Sequence, residues 1–100
     1  MLEKELERKL VKRMEQAGCM ALKFTSPGHA GVPDRLLLLP GGFVVFVELK
    51  REGAKPRPLQ EFMLNKLKKM GFRCLVISTE AEIELIVRMA ISLQGGAVDG

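Results

Sequence analysis

Apolar residues in the first part of the chain recur every three or four positions, with Lys, Arg and Glu between them. This period places them on one face of an amphipathic helix over residues 2–17. Gly18 follows at a position where glycine commonly ends a helix. The apolar positions are Leu2, Leu6, Leu10, Met14 and Ala17. We therefore predict that the chain begins with a helix that buries this face.

The middle of the chain has two apolar runs on either side of a turn. Residues 34–39 and 43–50 are typical of strands, and the Pro-Gly-Gly sequence at 40–42 predicts a hairpin-like connection between them. The segment 19–24 is a candidate third strand. Residues 25–33, with two glycines and two prolines, are predicted to form a loop.

The second half of the chain predicts a helix, a strand and another helix. Pro58 suits the first turn of a helix. Residues 72–78 form a nearly continuous apolar run, typical of a strand with both faces covered. Thr79 and Glu82 have the spacing of a capping box, which predicts a helix through about Leu93. The predicted buried face of the first of these helices consists of Leu59, Phe62, Met63, Leu67 and Met70.

This order of elements predicts a small α/β sandwich with a mixed central sheet flanked by helices. At 100 residues and 47% hydrophobic residues, the composition fits one globular domain. We place that domain at residues 1–94 and a flexible C-terminal tail at 95–100. A core of this size has little stability to spare, so a buried charge must be hydrogen-bonded, paired or bound to metal.

The charge of the chain is unevenly distributed. Its net charge is +4, but residues 50–73 carry +6 and the remainder carries −2. A basic segment of this kind suits the phosphate backbone of a nucleic acid. It is equally typical of a solvated helix face, and charge alone leaves both interpretations open.

Other features of the sequence predict a cytoplasmic protein. Cys19 and Cys74 fit no zinc-binding spacing and suggest no disulfide framework, which is typical of a reducing cytosol. The N-terminus is charged, so we expect no signal peptide. The apolar runs are far shorter than the ~20 residues of a membrane span, so we expect no membrane partner.

Three charged residues lie inside or beside the central apolar runs. Because strand side chains alternate between faces, Glu48 and Lys50 share a face with Phe46. A hairpin through 40–42 would bring Asp34 near the same end of the sheet. Asp34 alone is typical of a turn residue, but two close carboxylates suit a hard divalent ion such as Mg²⁺.

The same residues resemble a known nuclease signature. "GVPD" precedes "ELK", with thirteen residues between Asp34 and Glu48, as in PD-(D/E)XK nucleases. The stretches "SPGHAGVPDRLLLLPGG", "FVELKREGAKPRPLQ" and "LKKMGFRCLVIS" resemble the VRR-NUC (virus-type replication-repair nuclease) branch. The resemblance implies a restriction-endonuclease-like core and a Mg²⁺- or Mn²⁺-dependent DNA endonuclease. The alternative is a nuclease fold that binds DNA, or serves as a structural subunit, without cleaving.

The resemblance also implies a set of metal ligands. Asp34 and Glu48 match the family's carboxylates, and the backbone carbonyl of Leu49 matches a third ligand. Glu7 matches the acidic residue of the first helix that usually completes the metal shell, with Glu3 as the competing candidate. An ordinary solvated helix acid is the other interpretation of Glu7.

Further residues are expected to act on the substrate. Lys50 matches the catalytic lysine, and Gln60 matches a glutamine at the start of the following helix that faces the site, although Gln60 could also simply cap that helix. His29 stands where the family commonly has a basic residue, and we expect it to contact phosphate. The expected DNA contacts are Ser26, His29, Arg35, Arg51, Lys55 and Arg57.

The resemblance finally implies a homodimer that is selective for branched DNA, such as Holliday junctions. The C-terminal helix is apolar around most of its circumference, which favours burial on a second side by another subunit. Stand-alone members of the family are often encoded by phages.

Overall fold

The computed structural model describes residues 1–98, with side chains described through residue 94, and its elements follow the predicted order. The elements are α1 (Glu3–Gln16), β1 (Met20–Lys23), β2 (Arg35–Leu39), β3 (Phe43–Leu49), α2 (Pro58–Lys69), β4 (Arg73–Ile77) and α3 (Glu80–Val98). The segment 19–24 thus contains a strand, and the chain between β1 and β2 is a loop, as the sequence predicted.

The four strands form one mixed sheet in the order β1-β2-β3-β4. The pairs β1–β2 and β2–β3 are antiparallel, and β3–β4 is parallel with α2 as the crossover. The short turn between β2 and β3 pairs Leu39 with Phe43 and Arg35 with Val47. Tight hairpins fix strand register in this way. The order of helices and strands confirms the predicted fold class, a small α/β core with a mixed sheet.

Helices α1 and α3 cover one face of the sheet and form the main core with it. Leu6, Leu10, Met14 and Ala17 are buried on α1, as the helical period predicted. Leu2 is 67% exposed, because it lies before the first turn of the helix. The sheet contributes Leu37, Leu39, Val45, Val47, Leu49 and Ile77, and α3 contributes Ile83, Ile86, Val87 and Ala90.

Helix α2 covers the other face, but with a different side from the predicted one. Leu59, Phe62 and Met70 are 51–68% exposed, whereas Gln60 and Leu64 are buried. The predicted apolar face was therefore wrong for these three residues, whereas Met63 and Leu67 are half-buried and Leu67 packs against Phe46, Leu64 and Cys74. The reason is that Gln60 faces the sheet to bond a strand residue, and residues one turn apart, such as Gln60 and Leu64, share a side of a helix.

Strand β4 is an edge strand, and its faces are only partly covered, which corrects the expectation that both faces are covered. It pairs with β3 and with no other strand of the described chain. Leu75 and Val76 are 38% and 36% exposed. A continuous apolar run does not distinguish a central strand from an edge strand, because covering depends on neighbours that are distant in sequence.

Helix α3 begins with the predicted capping box. The Thr79 hydroxyl accepts a hydrogen bond from the Glu82 N–H, and the Glu82 carboxylate accepts one from the Thr79 N–H. The helix continues to Val98, beyond the predicted end near Leu93. Of the predicted tail, 95–100, the last two residues lie outside the described chain. Across residues 1–98, no helix has the length and apolar character required to cross a membrane.

Candidate active site

The register of β2 and β3 places Asp34 and Glu48 together. Because Arg35 pairs with Val47, the next step along the antiparallel pair brings Asp34 opposite Glu48. The Asp34 Oδ2 atom accepts a hydrogen bond of 2.8 Å from the Leu49 N–H. The N–H and C=O of a strand residue point the same way, so the Leu49 carbonyl also faces this flank.

Glu48 is a carboxylate that lies almost entirely out of solvent, with 1% of its surface exposed. Its Oε2 atom accepts a 2.7 Å hydrogen bond from Gln60 and lies 3.2 Å from the Lys50 ammonium. Its buried Oε1 atom has no hydrogen-bond partner in the described chain. Burial raises the pKa of Glu48, and the nearby Asp34 charge raises it further, while Lys50 acts in the opposite direction.

Gln60 joins the start of α2 to the site. Its Oε1 atom accepts a hydrogen bond of 2.8 Å from the Arg57 N–H, and its Nε2 atom donates one to Glu48. Gln60 therefore both caps the start of α2 and faces the site. The helix start is held against β3 by this contact.

Lys50 follows β3 on the same face as Glu48. Its backbone N–H donates to the Ile77 carbonyl, which fixes the end of β3 against β4. Its side chain is 14% exposed, so the ammonium is held close to Glu48 at the rim of the protein. Strand alternation predicted that Phe46, Glu48 and Lys50 share a face, and the contacts of Glu48 with Lys50 and with α2 agree.

Gly31 positions the loop that carries Asp34, and sequence reasoning did not single it out. Its φ of +80° lies in the left-handed region, which side chains rarely adopt. A Cβ atom there would lie 2.8 Å from the Leu59 carbonyl oxygen. The loop therefore approaches the backbone of α2 closely. The glycine two residues before Pro33 in "GVPD" is the sequence signal that could have indicated it.

The structure separates the two candidate acids of the first helix. Glu7 forms an ion pair with Arg35, with 2.9 Å between Oε2 and Nε, rather than joining Glu48. Arg35 points to the α1 side of the sheet, since it pairs with the buried core residue Val47. The charge of Glu3, by contrast, adds a small contribution to the raised pKa of Glu48, after burial and Asp34.

Five of the six residues expected to contact DNA lie in two places. Arg51, Lys55 and Arg57 are exposed in the connection between β3 and α2, beside the site. His29 is exposed in the loop before β2, and its Nδ1 atom lies 3.5 Å from the Oγ atom of Ser26. Arg35 is apart from both groups, since its guanidinium bonds Glu7 and the Ala21 carbonyl on the opposite face.

The oxygen atoms of the site fit a hard divalent cation. Asp34, Glu48 and the Leu49 carbonyl supply oxygen ligands of the kind that Mg²⁺ and Mn²⁺ prefer. The unpartnered Glu48 Oε1 is a buried acceptor that a cation would satisfy. Within residues 1–98 no group of three or more His, Cys, Asp or Glu side chains could hold a metal ion. Water and substrate oxygen would therefore complete the coordination.

Comparison with known proteins identifies the family of this chain. It is 41% identical over 78 residues to "Putative nuclease p44" of Acyrthosiphon pisum secondary endosymbiont phage 1, a match that covers 78% of this chain and 84% of the relative. A solved "VRR_NUC domain" superposes with a TM-score of 0.81 at 29% identity, over 86% of this chain and 94% of that one. The chain belongs to the VRR-NUC family. No family model matches it.

A second solved structure extends the agreement in fold. A "VRR_NUC domain protein" that is 20% identical superposes with a TM-score of 0.65, over 93% of this chain and 90% of that one. The VRR-NUC resemblance and the nuclease-type α/β core predicted from the sequence are thus confirmed. Membership in VRR-NUC makes this chain a nuclease.

Proposed function

We propose that this VRR-NUC protein is a Mg²⁺- or Mn²⁺-dependent endonuclease that hydrolyses phosphodiester bonds in DNA. The observation that carries the proposal is the buried Glu48 carboxylate, which keeps one oxygen unpartnered beside Asp34. Two carboxylates in such a position repel each other and favour a cation between them. A solely structural role would leave the buried Oε1 atom without a hydrogen-bond partner, which costs stability in a small domain.

Asp34, Glu48 and the Leu49 carbonyl would hold the metal ion. When bound, the ion would neutralise charge on the scissile phosphate and on its attacking water. Of the two acids in α1, we favour Glu3 as the additional carboxylate, acting on the ion through a bridging water. Glu7 is the less suitable of the two, since Arg35 already engages its carboxylate.

Lys50 and Gln60 would arrange the reacting groups. The Lys50 ammonium, 3.2 Å from Glu48, would orient the water and stabilise negative charge on the phosphate. Gln60 would fix the Glu48 carboxylate through its hydrogen bond, so that Oε1 points to the ion. Water attacks phosphorus in line, and the bond from phosphorus to the leaving sugar oxygen breaks.

The exposed loop cations beside the site suit a DNA backbone. Arg51, Lys55 and Arg57 would contact phosphates near the scissile bond, together with Ser26 and His29 from the other loop. Phosphate contacts carry no sequence information, so we expect selection by DNA structure, with four-way junctions preferred to linear duplex.

A plasmid-nicking assay with and without Mn²⁺ tests the reaction. The proposed function expects metal-dependent nicking that EDTA abolishes. Binding of DNA without nicking would instead favour a non-cleaving module, and neither binding nor nicking would favour a structural subunit. Nicking that persists in EDTA would contradict the metal site.

We also propose that the protein acts as a homodimer that pairs through β4. The Ile77 carbonyl bonds to β3, so the alternate residues Cys74 and Val76 turn their backbone groups to the open edge. In a second copy placed antiparallel, with Leu75 opposite its own equivalent, Cys74 and Val76 would bond each other twice. Four of the five residues of β4, all except Arg73, are apolar, and the strand contains no Lys or Pro, which favours such pairing.

Light scattering at micromolar concentration tests this assembly. We expect a dimer for the wild type, a monomer for Leu75→Lys, and a dimer for the control Leu59→Lys, which alters a similarly exposed residue on α2. A dimeric Leu75→Lys protein would contradict the β4 interface and favour the exposed Leu85 and Ile91 of α3. A monomeric wild type would contradict the dimer itself.

The remaining proposals concern the extent and location of the protein. We propose that residues 1–94 form the nuclease domain. We place its action in the cytoplasm, or in the host cytoplasm if the gene is carried by a phage, as the phage source of the relative would fit.

A further inference from the structure

Helix α1 carries two sets of cations with different surroundings. Toward α3, Lys9 and Arg13 form ion pairs with Glu80 and Glu84 at 2.7 Å and 2.8 Å. On the other side, three exposed cations lie one turn apart and form no salt bridge within the described chain. They are Lys4, Arg8 and Lys12.

These three cations line a groove of about 400 Å³ between α1 and the start of β2. Arg35 forms part of its wall and neutralises Glu7 there at 2.9 Å. Glu15 lies at the far end and is exposed to solvent. The groove therefore has a net positive charge. Its three exposed cations form no salt bridge with any residue of the described chain.

The groove lies on the α1 side of the sheet, the opposite face from Glu48 and Lys50, and reaches the end of the sheet that carries Asp34. Arg35 follows Asp34 directly in the chain, and Lys4 follows Glu3, whose charge acts on Glu48. Residues four apart on a helix are separated by about 6 Å along its axis, which is comparable to the distance between successive phosphates of one nucleic-acid strand.

We propose that this groove binds the phosphodiester backbone of the DNA strand on one side of the scissile bond. The inference rests on the proposed function, because it uses the position of the candidate site. Arg8 and Lys12 would each contact a phosphate, with Lys4 nearest the site. The loop cations after Lys50 would hold the other side, so the strand would cross the site between two basic surfaces.

The test compares two double substitutions on the same helix. Arg8→Gln with Lys12→Gln removes one Arg and one Lys from the groove, whereas Lys9→Gln with Arg13→Gln removes the same charges from the paired side. Binding of a fluorescent four-way junction is measured by anisotropy over a NaCl series, in the non-cleaving Glu48→Gln background. Circular dichroism checks that both variants are folded.

We expect the groove variant to lose affinity and to lower the slope of log K against log[NaCl] by about two, since each duplex phosphate contact contributes about 0.9. The paired-side variant should change the slope by less than half of that. Equal losses in both variants would overturn the groove while leaving the proposed function intact. A wild-type protein that neither binds nor nicks DNA would overturn the proposed function, and the groove with it.

Discussion

The two faces of the sheet bury different kinds of residue. Helices α1 and α3 pack a wholly apolar core against one face, whereas α2 buries Glu48 and Gln60 against the other, beside a small cluster of Phe46, Leu64 and Cys74. The first face has the larger share of buried apolar surface, which is the main stabilising contribution to folding. The second face can therefore hold a charge that costs stability.

This difference suggests a division of roles within one small domain. Changes on the α1/α3 face should alter stability and leave the chemistry of folded molecules unchanged. Changes on the α2 face should alter the reaction more than the fold. The predictions below test this division, beginning with the largest expected effect.

Glu48→Gln should remove metal binding and cleavage together. The electrostatic contribution of a bound metal is several kcal/mol, which corresponds to a loss of about 10³-fold or more in rate. Calorimetric titration with Mn²⁺ and a nicking assay check both effects. Unchanged Mn²⁺ affinity in this variant would exclude Glu48 as a ligand.

Lys50→Ala should lower cleavage by about 10²–10³-fold, the range for removal of one group that stabilises a transition-state charge. The metal-free protein should also lose stability while keeping its fold, because the change removes the cation beside the buried Glu48 carboxylate. Nicking rates and thermal unfolding measure the two effects, with Lys69→Ala on the exposed end of α2 as the control. Normal cleavage by folded Lys50→Ala protein would rule out the proposed role.

Leu10→Ala and Leu64→Ala compare the two faces directly. Leu10 is fully buried in the large core, so its truncation should cost about 2–5 kcal/mol. Leu64 packs in the small cluster, and its loss should cost less but loosen α2 and the Gln60–Glu48 contact. In urea unfolding, Leu10→Ala should therefore be the less stable variant. In the cleavage rate per folded molecule, Leu64→Ala should be the less active one. The same order in both measurements would contradict the division of roles.

Glu3→Gln and Glu7→Gln distinguish the two acids of α1. Loss of a supporting ligand typically weakens metal binding about 10–100-fold, and we expect this for Glu3→Gln. Glu7→Gln should change Mn²⁺ affinity little, because its carboxylate pairs with Arg35. Titration calorimetry on both proteins gives the comparison, and the reverse ranking would restore Glu7 as the ligand.

The smallest expected effect is on the pH dependence of the metal-free protein. The pKa of Glu48 is raised above its ordinary 4.5 in the folded state, mainly by burial. As pH rises through 4.5, the unfolded chain loses this proton first, so the folded state binds more protons and the free energy of unfolding falls. The decline ends above the folded-state pKa.

Glu48→Gln should remove this decline, since glutamine does not titrate. Urea unfolding of both proteins in EDTA, from about pH 4 to neutral, measures the difference between them at each pH. The stability of the wild type relative to the variant should fall as pH rises. If the relative stability increased with pH, the effect of Lys50, which lowers the pKa of Glu48, would be larger than the effects of burial and Asp34, which raise it.

The sequence by itself determined the features that depend on local geometry. The Pro-Gly-Gly turn and the alternation of strand side chains place Asp34, Glu48 and Lys50 at one end of the hairpin, because both rules act over a few residues. The buried stripe of α1 and the capping box of α3 follow from periods and spacings of the same short range.

The tertiary structure decided what depends on neighbours distant in sequence. The buried face of α2 bonds Gln60 to Glu48 and packs Leu64 against Phe46 and Cys74, while Leu59, Phe62 and Met70 are exposed. The open edge of β4, the pairing of Glu7 with Arg35 and the approach of Gly31 to Leu59 were also fixed in this way. The hydrophobic effect is non-directional, so the hydrophobic pattern alone permits several ways of packing these elements. Polar contacts and close backbone approaches determine which of them forms.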